Sequence, residues 1–273
     1  MNLCILSGKG GTGKTTVSTN LAALMGYHYI DCDVEEPNGF IFLKPTDIET
    51  QDVCVQYPVV DESKCTLCKA CAKACQFHAL VTSRKNVMVF DKLCHACGAC
   101  MIVCEPDAIS YGQRRIGRVE SGRSGNILAR RGILDVGEHM GVPIIKQMLG
   151  ELPKGSNILD CPPGTSCNVV NTIAHADKAL LVTEPSAFGL HDLKLAVKLL
   201  RMRGLPFGVV INKHTGEGRM IEDYCAEEGI ALLGSLPFRR EAAAAYSTGG
   251  MLIGMSEYRA AFERIAAGIR EVV

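Results

Sequence analysis

Residues 8–15 read GKGGTGKT, a G-x-x-x-x-G-K-[ST] run that follows a short apolar stretch and opens a helical pattern. Residues of these types at this spacing bind phosphate. Gly8, Gly10, Gly11 and Gly13, with Thr12 among them, let backbone N–H groups close around phosphate oxygens. The dipole of the helix beginning at Lys14 adds positive potential there. Lys14 is placed to reach the β and γ phosphates of a nucleoside triphosphate and Thr15 to ligate Mg²⁺, with Thr16 next to it in the first turn. The alternative, a glycine-rich turn with a chance lysine, is opposed by the agreement of strand, loop and helix.

A second chemistry is carried by sulfur. Of fourteen cysteines, eight lie between residues 65 and 104, a concentration that calls for a metal. Cys65, Cys68, Cys71 and Cys75 recur 29 positions later as Cys94, Cys97, Cys100 and Cys104, and Ala79 and Leu80 are answered by Ala108 and Ile109. Each set has the form C-x₂-C-x₂-C-x₃-C and resembles the run of bacterial ferredoxins. In that run three thiolates hold one [4Fe–4S] cluster and the fourth ligates the other. The resemblance implies one cluster on Cys65, Cys68, Cys71 and Cys104, and a second on Cys94, Cys97, Cys100 and Cys75. It departs from the ferredoxin pattern after each fourth cysteine, where Gln76 and Glu105 stand in place of proline. Zinc ribbons use separated C-x₂-C pairs, whereas here a third cysteine follows each pair. No C-x₂-C precedes a histidine directly, which excludes c-type haem attachment. His95 reads as a solvent-facing loop residue.

Lys9 adds a cation inside the phosphate loop. With it, KGGTGKT resembles the signature KGGxGK[ST] of the deviant P-loop ATPases typified by MinD, Mrp, ArsA and the nitrogenase Fe protein. The resemblance implies that Lys9 reaches across a dimer interface to the partner's nucleotide, much as an arginine finger does. It implies further that Asp33, in DCDVEEPN (31–38), orients the attacking water, while Asp31 is a structural hydrogen-bonding partner. In DCPPGT (160–165), Asp160 would hold a Mg²⁺-bound water and Gly164 would approach the γ phosphate. Asn212, Lys213 and Pro237 fall where the family places the adenine ring. Taken alone, the two Asp residues fit loop caps equally well, and Asn212 fits an ordinary turn.

These groups need a scaffold. Apolar runs at 3–7, 27–31, 53–60, 157–161, 178–184, 207–213 and 230–237 read as strands, with helices over 14–25, 189–203 and 217–228. This βα alternation predicts an α/β fold with a mostly parallel sheet. The cysteine-rich stretch breaks it, so the expected division is an ATPase domain in two parts, 1–60 and 113–273, around an inserted ferredoxin-like α+β domain over 61–112. The chain has 273 residues, with 29 Lys plus Arg against 29 Asp plus Glu. Neutrality removes the broad positive field that nucleic acid would require. No run is long and apolar enough for a signal peptide or spanning helix, which points to a cytoplasmic protein without stable membrane insertion.

Among the other cysteines, Cys4, Cys54 and Cys225 occupy apolar contexts and are expected to be buried. Cys32 and Cys161 each flank an acidic residue named above. Cys167 is read as structural or interfacial, with a thiolate or metal-bridging role as the alternative. Arg114, Arg115, Arg118, Arg123, Arg130 and Arg131 form a basic stretch, read as a solvated face paired with acids, or else a docking surface for an acidic partner. Over residues 257–272, Tyr258, Phe262, Ile265, Ile269 and Val272 share a stripe expected to pack on the sheet. Together these readings predict a dimeric ATPase using ATP and Mg²⁺ and bearing two [4Fe–4S] clusters. It would pair with itself or a paralogue on binding ATP and serve an iron–sulfur or other metalloprotein acceptor. A positioning or partner-binding ATPase whose clusters sense redox state remains the alternative.

Overall fold

The computed structural model describes residues 1–216 and 218–271. In chain order its elements are β1 (Asn2–Leu6), α1 (Lys14–Met25), β2 (His28–Asp31), α2 (Gly39–Leu43), β3 (Thr46–Val60), α3 (Ala70–Ala74), β4 (Leu80–Thr82), β5 (Val87–Val89), α4 (Ala99–Ile102), β6 (Ile109–Ser124), β7 (Ile127–Leu134), α5 (Val142–Gly150), β8 (Asn157–Asp160), α6 (Cys167–Ile173), β9 (Lys178–Thr183), α7 (Ala187–Arg203), β10 (Phe207–His214), α8 (Met220–Glu227), β11 (Ala231–Pro237), α9 (Arg240–Ser247) and α10 (Ser256–Glu271). One sheet runs β11-β10-β9-β1-β8-β2-β7-β6-β3. From β11 to β7 every pairing is parallel, while β6 and β3 add antiparallel strands at one edge.

The central strands are apolar without alternation because both sheet faces are covered. Leu3 and Ile5 of β1 enter the core under α1 and α10, whereas Cys4 and Leu6 enter the opposite core with α5 and α7. Helix α1 begins after Gly13 and ends at Gly26, both left-handed, a conformation glycine adopts without a Cβ penalty. Helix α7 starts at Ala187, two residues before its expected start, because Ser186 Oγ accepts the Gly189 N–H at 3.0 Å and caps it. Tyr258, Phe262, Ile265 and Ile269 of α10 are buried, as expected of helix packing; Val272 lies outside the described residues. The expected start of the helix over 217–228 also falls outside them, and α8 occupies Met220–Glu227.

The acidic-to-basic edge differs from expectation. β3 begins at Thr46 rather than at 53, and residues 109–134, read partly as a solvated basic stretch, form the long β6–β7 hairpin. Residues 46–52 are all exposed, so this edge carries no apolar pattern to read. Cys54 corrects its expected burial: on this outermost strand Val53 points into the core and Cys54, its neighbour in a period of two, points to solvent. Cys4 and Cys225 are buried as expected. The arginines are paired: Arg114 with Glu138 at 2.7 Å, Arg115 with Asp52 and Asp135, and Arg118 and Arg131 with Glu120. Arg130 donates to the carbonyls of Met148 and Glu151, and Arg123 is exposed.

β6 pairs with β7 only from Gly117 onward, but pairs with β3 back to Ile109, which faces Val60. The two strands therefore extend beyond β7 as a ribbon, and residues 61–108 close its tip. That segment contains the short helices α3 and α4 and its own two-stranded sheet, β4–β5.

Candidate nucleotide site and cysteine cavities

The loop between β1 and α1 forms one side of a cavity of about 420 Å³, within the range of small-molecule sites. Lys9, Gly10, Gly11, Thr12, Gly13, Lys14, Thr15, Thr16, Asp33, Asn212, Lys213 and Pro237 line it. Gly8 and Gly164 do not, although Gly164 N–H donates to the Ser7 carbonyl at 2.9 Å and so rests against the loop. Gly8 needs its missing Cβ for another reason, because one would strike the Asp192 backbone of α7 at 2.3 Å. Asn212 anchors the loop by donating from Nδ2 to Thr12 O at 2.8 Å, and Lys213 Nζ donates to Gly11 O at 2.6 Å. Thr12 Oγ1 is buried without a hydrogen-bond partner among the described residues, an acceptor-seeking donor in a phosphate cradle.

Asp160 lies wholly buried beneath this loop. Lys14 Nζ donates to its Oδ1 at 3.0 Å, and Ser18 Oγ and Tyr29 Oη each donate to Oδ2 at 2.8 Å. Tyr29 also contacts Asp31 Oδ2 at 3.2 Å, which accepts from Gly39 N–H at 3.0 Å. Burial, and then the Asp160 charge, push Asp31 up to about 8. Burial likewise lifts Asp33 to about 6, against the pull of Lys14. Burial opposes the Lys14 charge, but Asp160, Asp33 and Asp31 more than offset it and hold the ammonium above its usual range. Three carboxyl groups thus share one cation, and the raised Asp31 and Asp33 mark a site short of positive charge, which a divalent ion would supply.

Lys9 does not point free. Its Nζ pairs with Glu184 at the end of β9, and Lys213 stands 3.7 Å from the other Glu184 oxygen. The sequence reading missed Glu184, and also Ser18 and Tyr29. A carboxylate at the end of the strand next to β1 was the available signal for Glu184. No spacing rule marks the other two. On the far wall Phe238 stands beside Pro237, as the sequence suggests, whereas Arg239, Tyr246 and Tyr258 were missed because α9 and α10 bring them from the distant C-terminal region.

The eight clustered cysteines fall around two small cavities. Cys65, Cys68, Cys71 and Cys104 line the first, with Val60, Val87, Pro106 and Ile109. Cys75, Cys94, Cys97 and Cys100 line the second, with Phe77, Leu80, His95 and Tyr111. The 29-residue repeat is also a backbone repeat: Leu67 and Ala96, Lys69 and Gly98, and His78 and Asp107 all have positive φ. Ala79 N–H donates to Cys75 Sγ at 3.2 Å and Ala108 N–H to Cys104 Sγ at 3.3 Å, again equivalent positions. His95 is exposed, stacked on Phe77 with ring centroids 3.8 Å apart. Among the described residues no three His, Cys, Asp or Glu side chains converge closely enough to hold a single metal ion. Burial raises the Cys71 and Cys100 thiols, and neighbouring cysteines add to the rise. Cys167 is exposed at the start of α6.

Residues 135–141 connect the two regions. Leu134 N–H donates to Val34 O at 2.9 Å, joining β7 to the Asp33 segment. A Cβ on Gly141 would meet Val34 Cγ2 at 2.7 Å and Asn168 Nδ2 at 2.9 Å, so this loop is in close contact with the Asp33 segment and with α6, which follows the Asp160 segment. On its other side Glu138 pairs with Arg114, which stands 3.5 Å from Asp91, and Lys92 Nζ donates to Gly137 O at 3.4 Å.

A family profile described as the CobQ/CobB/MinD/ParA nucleotide binding domain matches residues 3–253. The chain belongs to this family of P-loop proteins, whose MinD/ParA-type members are ATPases. An uncharacterized protein of Methanocaldococcus jannaschii is 30% identical over 84% of this chain and 90% of its own length. An iron-sulfur cluster carrier protein of Pyrococcus abyssi is 27% identical, covering 90% of this chain and 77% of the relative. The fold matches that of the septum site-determining protein MinD of Pyrococcus horikoshii, solved with Mg-ADP, with a TM-score of 0.61 at 18% identity over 98% of this chain and 95% of that one. No helix of the described residues is long and apolar enough to cross a membrane.

Proposed function

We propose that this protein is a cytoplasmic Mg²⁺-dependent ATPase that pairs with itself or a paralogue on binding ATP. In this reading two [4Fe–4S] clusters sit in the segment over 61–112, and ATP binding and hydrolysis are coupled to electron transfer or metal-cluster handling with a metalloprotein acceptor. The observation that carries the coupling is the loop over 135–141. Its Gly141 lies against Val34 of the Asp33 segment and against Asn168 of α6, the helix that follows the Asp160 segment; on the cysteine-rich side Lys92 donates to Gly137 O, and Glu138 pairs with Arg114 of β6, which stands 3.5 Å from Asp91. A loop clamped between two nucleotide-sensing segments transmits any movement of either to the third body it holds.

The cysteine cavities fit the clusters on three grounds. Each quartet is all thiol and partly or wholly walled by apolar groups, the donor set that selects iron–sulfur cubes. A zinc ribbon uses separated C-x₂-C pairs, whereas a third cysteine follows each pair here. Backbone N–H groups already point at Cys75 and Cys104, and the repeated positive-φ residues hold the loops in strained conformations of the kind found at ligand clamps. Bound there, such clusters supply one-electron storage. The similarity to an iron-sulfur cluster carrier protein supports the same assignment.

For the nucleotide, Lys14 would leave Asp160 for the phosphates, Thr15 and the freed Asp160 would serve Mg²⁺, and Asp33 would orient water. Lys9 would leave Glu184 for the partner's nucleotide. The test is an anaerobic redox titration of the purified chain, with iron and sulfide analysis, with and without MgATP. Eight iron atoms per chain and an ATP-dependent shift in midpoint potential are expected. Clusters present but indifferent to ATP would exclude coupling, and absence of iron would exclude the clusters.

A further inference from the structure

The two cysteine cavities are related by the 29-residue repeat, and most of their walls obey it. Pro106 of the first answers Phe77 of the second, Ile109 answers Leu80, and Thr66 answers His95. The symmetry fails at Tyr111. Its counterpart by repeat is Thr82, which is not among the residues lining the first cavity; there Val60 and Val87 close the wall with methyl groups. Tyr111 belongs to β6, opposite Pro58 of β3, so the ATPase sheet's ribbon delivers a phenol to one site and only hydrocarbon to the other. Its hydroxyl stands 3.4 Å from where a Cβ on Gly98 would lie, between Cys97 and Cys100.

We infer that Tyr111 is a positioning residue that sets the two clusters apart in reduction potential, its O–H dipole stabilising the reduced state of the cluster held by Cys75, Cys94, Cys97 and Cys100. The inference rests on the two-cluster reading above. Reduction adds negative charge to a cluster, and a hydrogen-bond donor at its sulfurs favours that state and raises its potential. The corresponding wall of the first cavity offers only valine methyls, and the polar residues on its lining, Thr66 and Lys69, are exposed to solvent. Electrons entering the protein therefore settle on the second cluster.

The full-length Tyr111→Phe protein, prepared anaerobically with iron and sulfide restored, provides the test. In an equilibrium redox titration followed by electron paramagnetic resonance, one midpoint potential should fall and the other should hold. Iron content and thermal midpoint should match those of the unsubstituted chain, which separates this role from a packing role. Tyr111→His, which keeps a donor, should recover most of the separation. Potentials that both hold, or that fall together, would overturn the inference while leaving the two-cluster reading intact. A chain without iron would overturn both.

Discussion

Asp31, Asp33 and Asp160 share a single buried ammonium, and their protonation follows from that shortage. The Asp31 carboxyl titrates near 3.8 when unfolded and near 8 when folded. Between those values the native state holds the extra proton, so stability of the nucleotide-free protein falls as pH rises from about 4 to about 8. Asp31→Asn should flatten that slope and raise the melting temperature at pH 8 but not at pH 4. Parallel melting curves would refute the assignment. Lys9 poses a different question, because Glu184 holds it on its own chain. Lys213 and Lys9 together keep the Glu184 carboxyl below its usual range, although burial opposes them. A partly exposed pair of this kind is worth about 0.2–1 kcal/mol, so Glu184→Gln should raise dimer-dependent ATP turnover by about 1.4- to fivefold at limiting protein. Lys9→Ala should still bind ATP and lose that turnover. If Glu184→Gln leaves the concentration dependence unmoved, the pair does not restrain Lys9.

Elements explain why some of this was legible in sequence. The phosphate loop, both acidic segments and both cysteine runs were readable because each is a short run in which spacing along the chain fixes placement in space; the exchange of Cys75 and Cys104 between the runs came only from the resemblance to ferredoxins. β1, β8, β9 and β10 were readable because burial on both faces leaves continuous apolar residues. The first half of β3 and the whole of β6 were not, since Thr46–Asp52 are exposed, and the arginines of β6 are held by antiparallel pairing and by Asp and Glu partners remote in sequence. Glu184 and Tyr29 gain their roles only when neighbouring strands align. The loop over 135–141 gives the element-scale prediction. Gly141 has an ordinary φ of −75°, so its glycine is demanded by contact with Val34 and Asn168, not by backbone strain. Gly141→Ala forces these neighbours apart at a cost of about 1–3 kcal/mol. In the redox titration, the ATP-dependent shift in potential should shrink while the potentials measured without nucleotide hold. An unchanged shift would remove this loop from the coupling.

At the scale of the molecule the question is whether the cysteine-rich segment could fold on its own apolar groups. The α/β body has two large aliphatic cores, one on each sheet face. The cluster around the ribbon tip has seven buried residues, Cys71, Cys75, Ala79, Leu80, Cys94, Cys100 and Ile109, of which four are cysteines. So small a core of thiols falls short of the conformational entropy of about fifty residues, and in the two-cluster reading proposed above metal–thiolate bonds make up the difference. The body owes it nothing comparable, and Val60 and Ile109 already face each other across the ribbon. A two-residue Asn-Gly turn could join them directly, since a type I′ turn matches the twist of an antiparallel pair. Replacing residues 61–108 with Asn-Gly should give a chain that unfolds cooperatively, binds MgATP and carries no iron. In the intact protein, anaerobic iron chelation should release protection from hydrogen exchange over 61–108 and leave β1, β8 and β9 protected. Loss of protection throughout would mean that the sheet depends on the cysteine-rich segment, and that the ribbon supports the body as well as extending from it.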